Sequence, residues 1–125
     1  MICFKIKAMQ NRKYDLEDRL VDYTCRMIDV VEALPNTRAG NYIAGQLIKS
    51  CHSPTFNYGE AQAAESPKDF IHKIQVILKE LRESRICLKV LSRRTRLIDE
   101  RAVKECDELV AIFATSVKTA KKNST

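Results

Sequence analysis

Tryptophan is absent from this 125-residue chain, and glycine and proline occur only three times each. So few backbone breakers leave little material for the many turns of a β-sandwich or barrel, and long helices become the expected element. Cysteine offers no C-x-x-C pair, and its count of five is odd. A secreted disulfide framework favours even counts in clustered spacings. Cys25, Cys51, Cys87 and Cys106 instead fall within helical patterns, where a reduced thiol behaves as a small hydrophobe. A reducing, cytoplasmic compartment is expected.

Long apolar runs are also missing. Met1–Met9 is mildly apolar, but Lys5 and Lys7 interrupt it, and it is too short for a signal peptide core or a membrane span. No membrane association is expected. Residues 1–14 are read as a short N-terminal arm, 15–121 as one bundle domain and 122–125 as a C-terminal tail. Internal repeats and low-complexity tracts are absent from the sequence.

What remains is ordinary for a globular protein: 45% hydrophobic and 30% charged residues. The formal charge of +6 is unevenly spread. Residues 1–36 carry six basic and six acidic side chains, whereas residues 66–101 carry ten basic against five acidic. Nearly all the surplus sits on one segment.

Apolar spacing supplies the elements. Leu16, Leu20, Tyr23, Met27, Val30 and Leu34 recur every three or four residues behind Asp15, a good N-cap, and Pro35 ends that helix. A second helix opens at Thr37 and runs through Tyr42, Ile43, Leu47 and Cys51 to about Ala64. Pro54 must kink or interrupt it by removing a backbone donor. The third has the clearest start: Ser66 as cap, Pro67 at the first helical position and Asp69 at the third. Its buried stripe is Phe70, Ile74, Ile77, Leu81, Ser84, Leu88 and Leu91. After a polar connector, Ser92 to Glu100, the fourth carries Val103, Cys106, Val110, Phe113, Val117 and Ala120. Four amphipathic helices joined by short connections specify an all-α, antiparallel up-and-down four-helix bundle.

One stretch carries more than periodicity. Ser53-Pro54, Asn57-Tyr58-Gly59-Glu60-Ala61, Ala64-Glu65-Ser66, Lys68-Asp69-Phe70-Ile71-His72-Lys73 and Leu78-Lys79-Glu80-Leu81-Arg82-Glu83-Ser84 resemble the signature of a bacterial family. Its members are small four-helix-bundle proteins first noticed as reading frames in 23S ribosomal RNA intervening sequences. The resemblance covers about residues 50–92, and the flanking helices fit by length and periodicity. It implies a cytoplasmic bacterial protein without established enzymatic activity. It also implies a homo-oligomer, since some members are pentamers. Related accessory proteins of diversity-generating retroelements are basic pentamers that bind a reverse transcriptase and nucleic acid. The arginine-rich connector between Leu91 and Val103 matches no family pattern.

Four features are candidates for function. The first is a basic stripe: Lys79, Arg82, Arg85, Lys89 and Arg93 recur at helical spacing, and Arg94, Arg96 and Arg101 extend it into the connector. Such a face can neutralise phosphates of RNA or DNA without reading sequence. Alternatively it is a solvated face or a protein interface, with Glu80 and Glu83 pairing locally. Few aromatics interleave with it, which argues against a single-strand stacking platform. Second, Glu60 downstream of Pro54 is expected to have a structural duty. Acid–base catalysis would need a positioned partner, and only Glu65 or His72 is local. Third, Cys51-His52 are adjacent, His72 stands alone, and no ligand pair has a metal-binding helical spacing. No catalytic residue, metal or cofactor is expected. Fourth, Val21, Ile28, Ile48, Ile71, Ile86, Val90 and Ile112 lie off the narrow seams, and several exposed together would form a patch that needs a partner. The two functional readings are therefore a nucleic-acid-binding bundle and a protein-interaction adaptor or oligomeric scaffold.

Overall fold

The computed structural model describes residues 15–96 and 98–124. The expected arm, residues 1–14, lies outside the described residues. Among the described residues four helices follow in order: α1, Leu16–Glu32; α2, Arg38–Gln62; α3, Pro67–Arg94; and α4, Glu100–Asn123.

Each helix begins where a side chain satisfies an orphan amide of the first turn. Asp18 N donates to Asp15 Oδ1 at 2.8 Å, Gly40 N to Thr37 Oγ1 at 3.0 Å, and Asp69 N to Ser66 Oγ at 3.0 Å. Arg101 N donates to Asp99 Oδ1 at 2.8 Å. Three of these caps follow the sequence reading. The Asp99 cap was not anticipated, because Asp99 stood inside the expected polar connector. Gly40 is required by space: a Cβ there would collide with the Pro35 carbonyl oxygen of the tight α1–α2 connection.

Neighbours along the chain are neighbours in space. The α2–α3 packing is the most extensive, followed by α3–α4 and α1–α2, while α1 and α4 close the ring with the least contact. Helices α1 and α3 therefore stand diagonally across the bundle, as do α2 and α4. Connections of a few residues make sequential helices antiparallel. The α1–α2 and α3–α4 connectors thus share one end of the bundle, and the α2–α3 connector takes the other.

The core forms as the spacing predicts. Every residue of the α3 stripe, Phe70 through Leu91, is buried, and so are Leu16, Leu20, Tyr23, Met27 and Val30 of α1. Tyr42 departs from expectation: it is 68% exposed, one position off the inward side defined by Ile43 and Leu47. The central layer is polar in part. Ser84 Oγ of α3 donates to Ser50 Oγ of α2 at 2.9 Å.

Helix α2 runs unbroken through buried Pro54. Hydroxyls gather at that turn. Thr24 Oγ1 of α1 lies 3.0 Å from the Cys51 carbonyl, 2.9 Å from the Leu20 carbonyl and 2.9 Å from Thr55 Oγ1. Its one hydrogen serves one carbonyl at a time, while its lone pairs can accept from Thr55. The carbonyl that Pro54 leaves without its backbone donor is that of Ser50, and these hydroxyls gather on the next one, Cys51.

Candidate functional site

Helix α3 has two chemically distinct sides because its pattern turns by about 100° per residue. One side is the core stripe. The other presents Lys79, Arg82, Ile86, Lys89, Val90 and Arg93, all exposed. Arg94 ends the helix, and Arg96 and Arg101 follow in and just after the connector, also exposed. Arg93 and Arg94 stand in the last turn, where cations favour the negative end of the helix dipole. The topology brings exposed Arg38, at the start of α2, to this same end.

Seven of the eight stripe residues are therefore exposed, and Arg85 is not. It turns toward α4, half-buried, with Nη1 3.9 Å from Asp107 Oδ1 and a buried Nε that lacks a hydrogen-bond partner among the described residues. One extra residue of rotation moves it off the Arg82–Ile86 line. Arg101 keeps a loose ion pair with its own cap residue, Asp99, at 3.5 Å, and is 81% exposed. Arg82, Lys89, Arg93, Arg94 and Arg96 make no ion pair among the described residues. Glu83, exposed beside them, is the local counter-charge of the stripe.

The motif residues around Pro54 serve the scaffold. Asn57 Nδ2 donates to the Ser53 carbonyl at 2.9 Å and to Ser53 Oγ at 3.1 Å. Lys73 Nζ donates to Glu60 Oε1 at 2.9 Å, joining α3 to α2. The hydrogen bond from Lys73 to Glu60 holds that ammonium above its ordinary range. Glu60 thus meets a lysine across the hairpin and not a histidine that could share proton transfer. Phe70 fills the core beside the Ser66–Asp69 cap. Gly59 is open on all sides, so nothing within the described residues requires a glycine there.

Clefts flank the bundle among the described residues. One, of about 540 Å³, lies where α3 starts and α4 ends, and includes Ser66, Lys68, His72 and Ser124. Another, of about 210 Å³, opens in the α1–α4 seam over Tyr23, between Arg19, Asp22, Arg26 and Glu105. Arg19 spans that seam: Nε and Nη2 donate to Glu105 at 3.1–3.2 Å, and Nη2 also reaches Glu108 at 3.2 Å. The Tyr23 hydroxyl is buried without a hydrogen-bond partner among the described residues, and burial pushes its pKa up. Burial likewise pushes the Cys51 and Cys106 thiols up to about 11. Neither is a thiolate near neutral pH, so neither is an activated nucleophile there. Among the described residues no group of three His, Cys, Asp or Glu side chains could hold a metal ion, and no helix is long and apolar enough to cross a membrane.

Sequence reasoning missed the Arg19 bridge and the burial of Glu80. Both depend on which residue of a distant helix lies opposite, which periodicity within one helix does not reveal.

No family model and no curated protein matches the chain. Among solved structures, the chain is similar to a protein of unknown function from the S23 ribosomal protein family of Bacteroides thetaiotaomicron, determined at 1.70 Å. The two share 25% identity with a TM-score of 0.73, over 82% of this chain and 97% of that one.

Proposed function

We propose that this chain is a non-enzymatic, cytoplasmic member of the bacterial 23S-intervening-sequence family that binds RNA or DNA phosphates through the arginine-rich end of its bundle. The family reading is supported by the motif over residues 50–92 and by a bundle of like shape whose own family is S23 ribosomal. The functional reading rests on one observation. Arg93, Arg94 and Arg96 are exposed at the α3 terminus and make no ion pair among the described residues, with Arg101 beside them. Guanidinium forks held on a rigid helix end match phosphate geometry and stay charged at all working pH.

Such a grip has a signature. Each neutralised phosphate releases counterions, so affinity for duplex DNA falls with a log–log salt slope of roughly −0.9 per contact. Fluorescence anisotropy with generic RNA and duplex DNA should give a steep slope. Arg93→Glu/Arg94→Glu/Arg96→Glu should weaken binding at least ~10-fold and flatten the slope by roughly three contacts. No binding of either nucleic acid by micromolar protein at low salt overturns the reading.

A second reading, protein adaptor or scaffold, has its own observation. Ile86 is 62% and Val90 43% exposed within the basic stripe. Apolar side chains among cations suit a protein surface better than a phosphate backbone.

A further inference from the structure

Helix α2 shows solvent a face that the packing of the bundle does not use. Arg38, Tyr42, Gly45, Lys49, Phe56 and Gly59 follow one another at intervals of three, four or seven residues and so share one side of the helix. Tyr42 is 68% and Phe56 66% exposed, more than any other large hydrophobic side chain among the described residues. Arg38 and Lys49 are exposed and make no ion pair among the described residues. Glu60, the only acidic side chain of α2, is engaged by Lys73 across the hairpin. The face is aromatic and cationic, with no free carboxylate.

Both rings are left uncovered in the same way. Helical side chains lean toward the N-terminus, so a ring is covered by residues one turn further on. Three positions beyond Tyr42 stands Gly45, and three beyond Phe56 stands Gly59. A Cβ at either glycine would meet nothing within 4 Å, so packing does not call for glycine there, and helix propensity opposes it. What the two glycines provide is open ring faces. His52 steadies the second ring: its Nδ1 donates to the Ile48 carbonyl at 2.8 Å, and its ring centroid lies 6.0 Å from that of Phe56.

This face is continuous with the arginine-rich end. Arg38 stands in the first turn of α2, at the end that carries Arg93, Arg94 and Arg96, and Tyr42 is one turn further in. From Arg38 to Phe56 the track runs about 27 Å along the helix. Open aromatic faces set between cations suit unpaired bases and their phosphates, whereas in a duplex the base faces are already stacked on one another. The α3 stripe has no such rings; α2 supplies them. We propose that this face of α2 is a stacking track for unpaired bases, so that the nucleic acid this chain takes is single-stranded. The proposal rests on the phosphate reading and deepens it: the arginines hold phosphates, while Tyr42 and Phe56 select strands whose bases are free.

Fluorescence anisotropy on the full chain tests it, with unstructured RNA and DNA single strands of about 16 nucleotides and a duplex of the same length. The single strands should bind more tightly than the duplex. Tyr42→Ala/Phe56→Ala should weaken single-strand binding at least ~5-fold, leave duplex binding unchanged and keep the salt slope, because no charge is removed. Tyr42→Phe should bind as wild type does, since stacking needs the ring and not the hydroxyl. Gly45→Leu/Gly59→Leu should lower single-strand affinity while Tm holds or rises, which separates covered rings from a damaged helix. Three results overturn the proposal: a duplex bound as tightly as single strands, an alanine pair that binds single strands like wild type, or equal losses on both. The phosphate reading survives each of these if Arg93→Glu/Arg94→Glu/Arg96→Glu still weakens binding, whereas no binding of any nucleic acid removes both. A protein partner lost on Tyr42→Ala/Phe56→Ala, with single-strand affinity intact, gives the face to protein and overturns the proposal too.

Discussion

The α2–α3 seam and the α1–α4 seam close the same bundle by different means. Helices α2 and α3 form a hairpin with a short connector, pack over the greatest extent, and are tied by Ser50–Ser84 in the core and Glu60–Lys73 at the rim. Helices α1 and α4 come from opposite ends of the described chain, touch least, and leave a cleft of about 210 Å³ bridged by Arg19. Joining the ends costs more loop-closure entropy than forming the hairpin, and fewer contacts repay it. The lesson is that stability is not shared evenly around the ring. Opening of the α1–α4 seam should need less free energy than separation of the hairpin.

The largest test is a cavity in the hairpin. Leu81 is fully buried on α3, and Leu81→Ala removes three methyl-scale groups from a packed layer. A loss of about 2–5 kcal/mol is expected, seen as a lower denaturant midpoint with all four helices melting together. If the variant loses less than Arg19→Ala does, the ranking of the two seams is wrong.

Arg19→Ala should cost about 1 kcal/mol, the range of a favourable bridge between half-buried partners, and less at high salt. Its distinguishing effect is local. Hydrogen exchange should quicken in α1 and α4 while amides of α2 and α3 keep their protection. Uniform quickening in all four helices would mean that the seams open together.

What was legible in the sequence follows the same division. Leu81 and its stripe could be read because burial repeats every three or four residues within one helix. The caps Asp15, Thr37 and Ser66 could be read because capping is local chemistry. Tyr42 misled because it adjoins the apolar Ile43, and a one-residue error rotates a side chain by about 100°. Arg85 was assigned to the exposed stripe for the same reason. Its partner Asp107, like Glu105 opposite Arg19, belongs to another helix, and only packing decides such pairs. Exposure of the Arg93–Arg96 cluster was legible, but which of its neighbours share the end of the bundle came from topology.

Glu80 gives the smallest and most selective test, because its carboxylate sits in the hairpin seam. It is 7% exposed, and Oε2 has no hydrogen-bond partner among the described residues. Burial raises its pKa, the adjacent Glu83 raises it further, and Lys49 and Lys79 pull only partly against them. A carboxyl whose folded pKa lies above the unfolded value takes up its proton more readily in the folded chain. Its favourable contribution is therefore full below the unfolded pKa and disappears as pH rises through the folded one. Burial disfavours the charged form of Glu80, and glutamine has no charge to desolvate. Glu80→Gln should raise Tm by a few degrees at pH 7, roughly the effect of 1 kcal/mol or less in a domain of this size. That advantage should shrink as pH falls through the raised folded pKa toward the ordinary glutamate range, and be gone below it, where wild-type Glu80 is protonated in folded and unfolded chains alike. An equal gain at every pH would trace the effect to packing, and a loss at pH 7 would mean that Lys49 and Lys79 hold the charged form in a favourable pair.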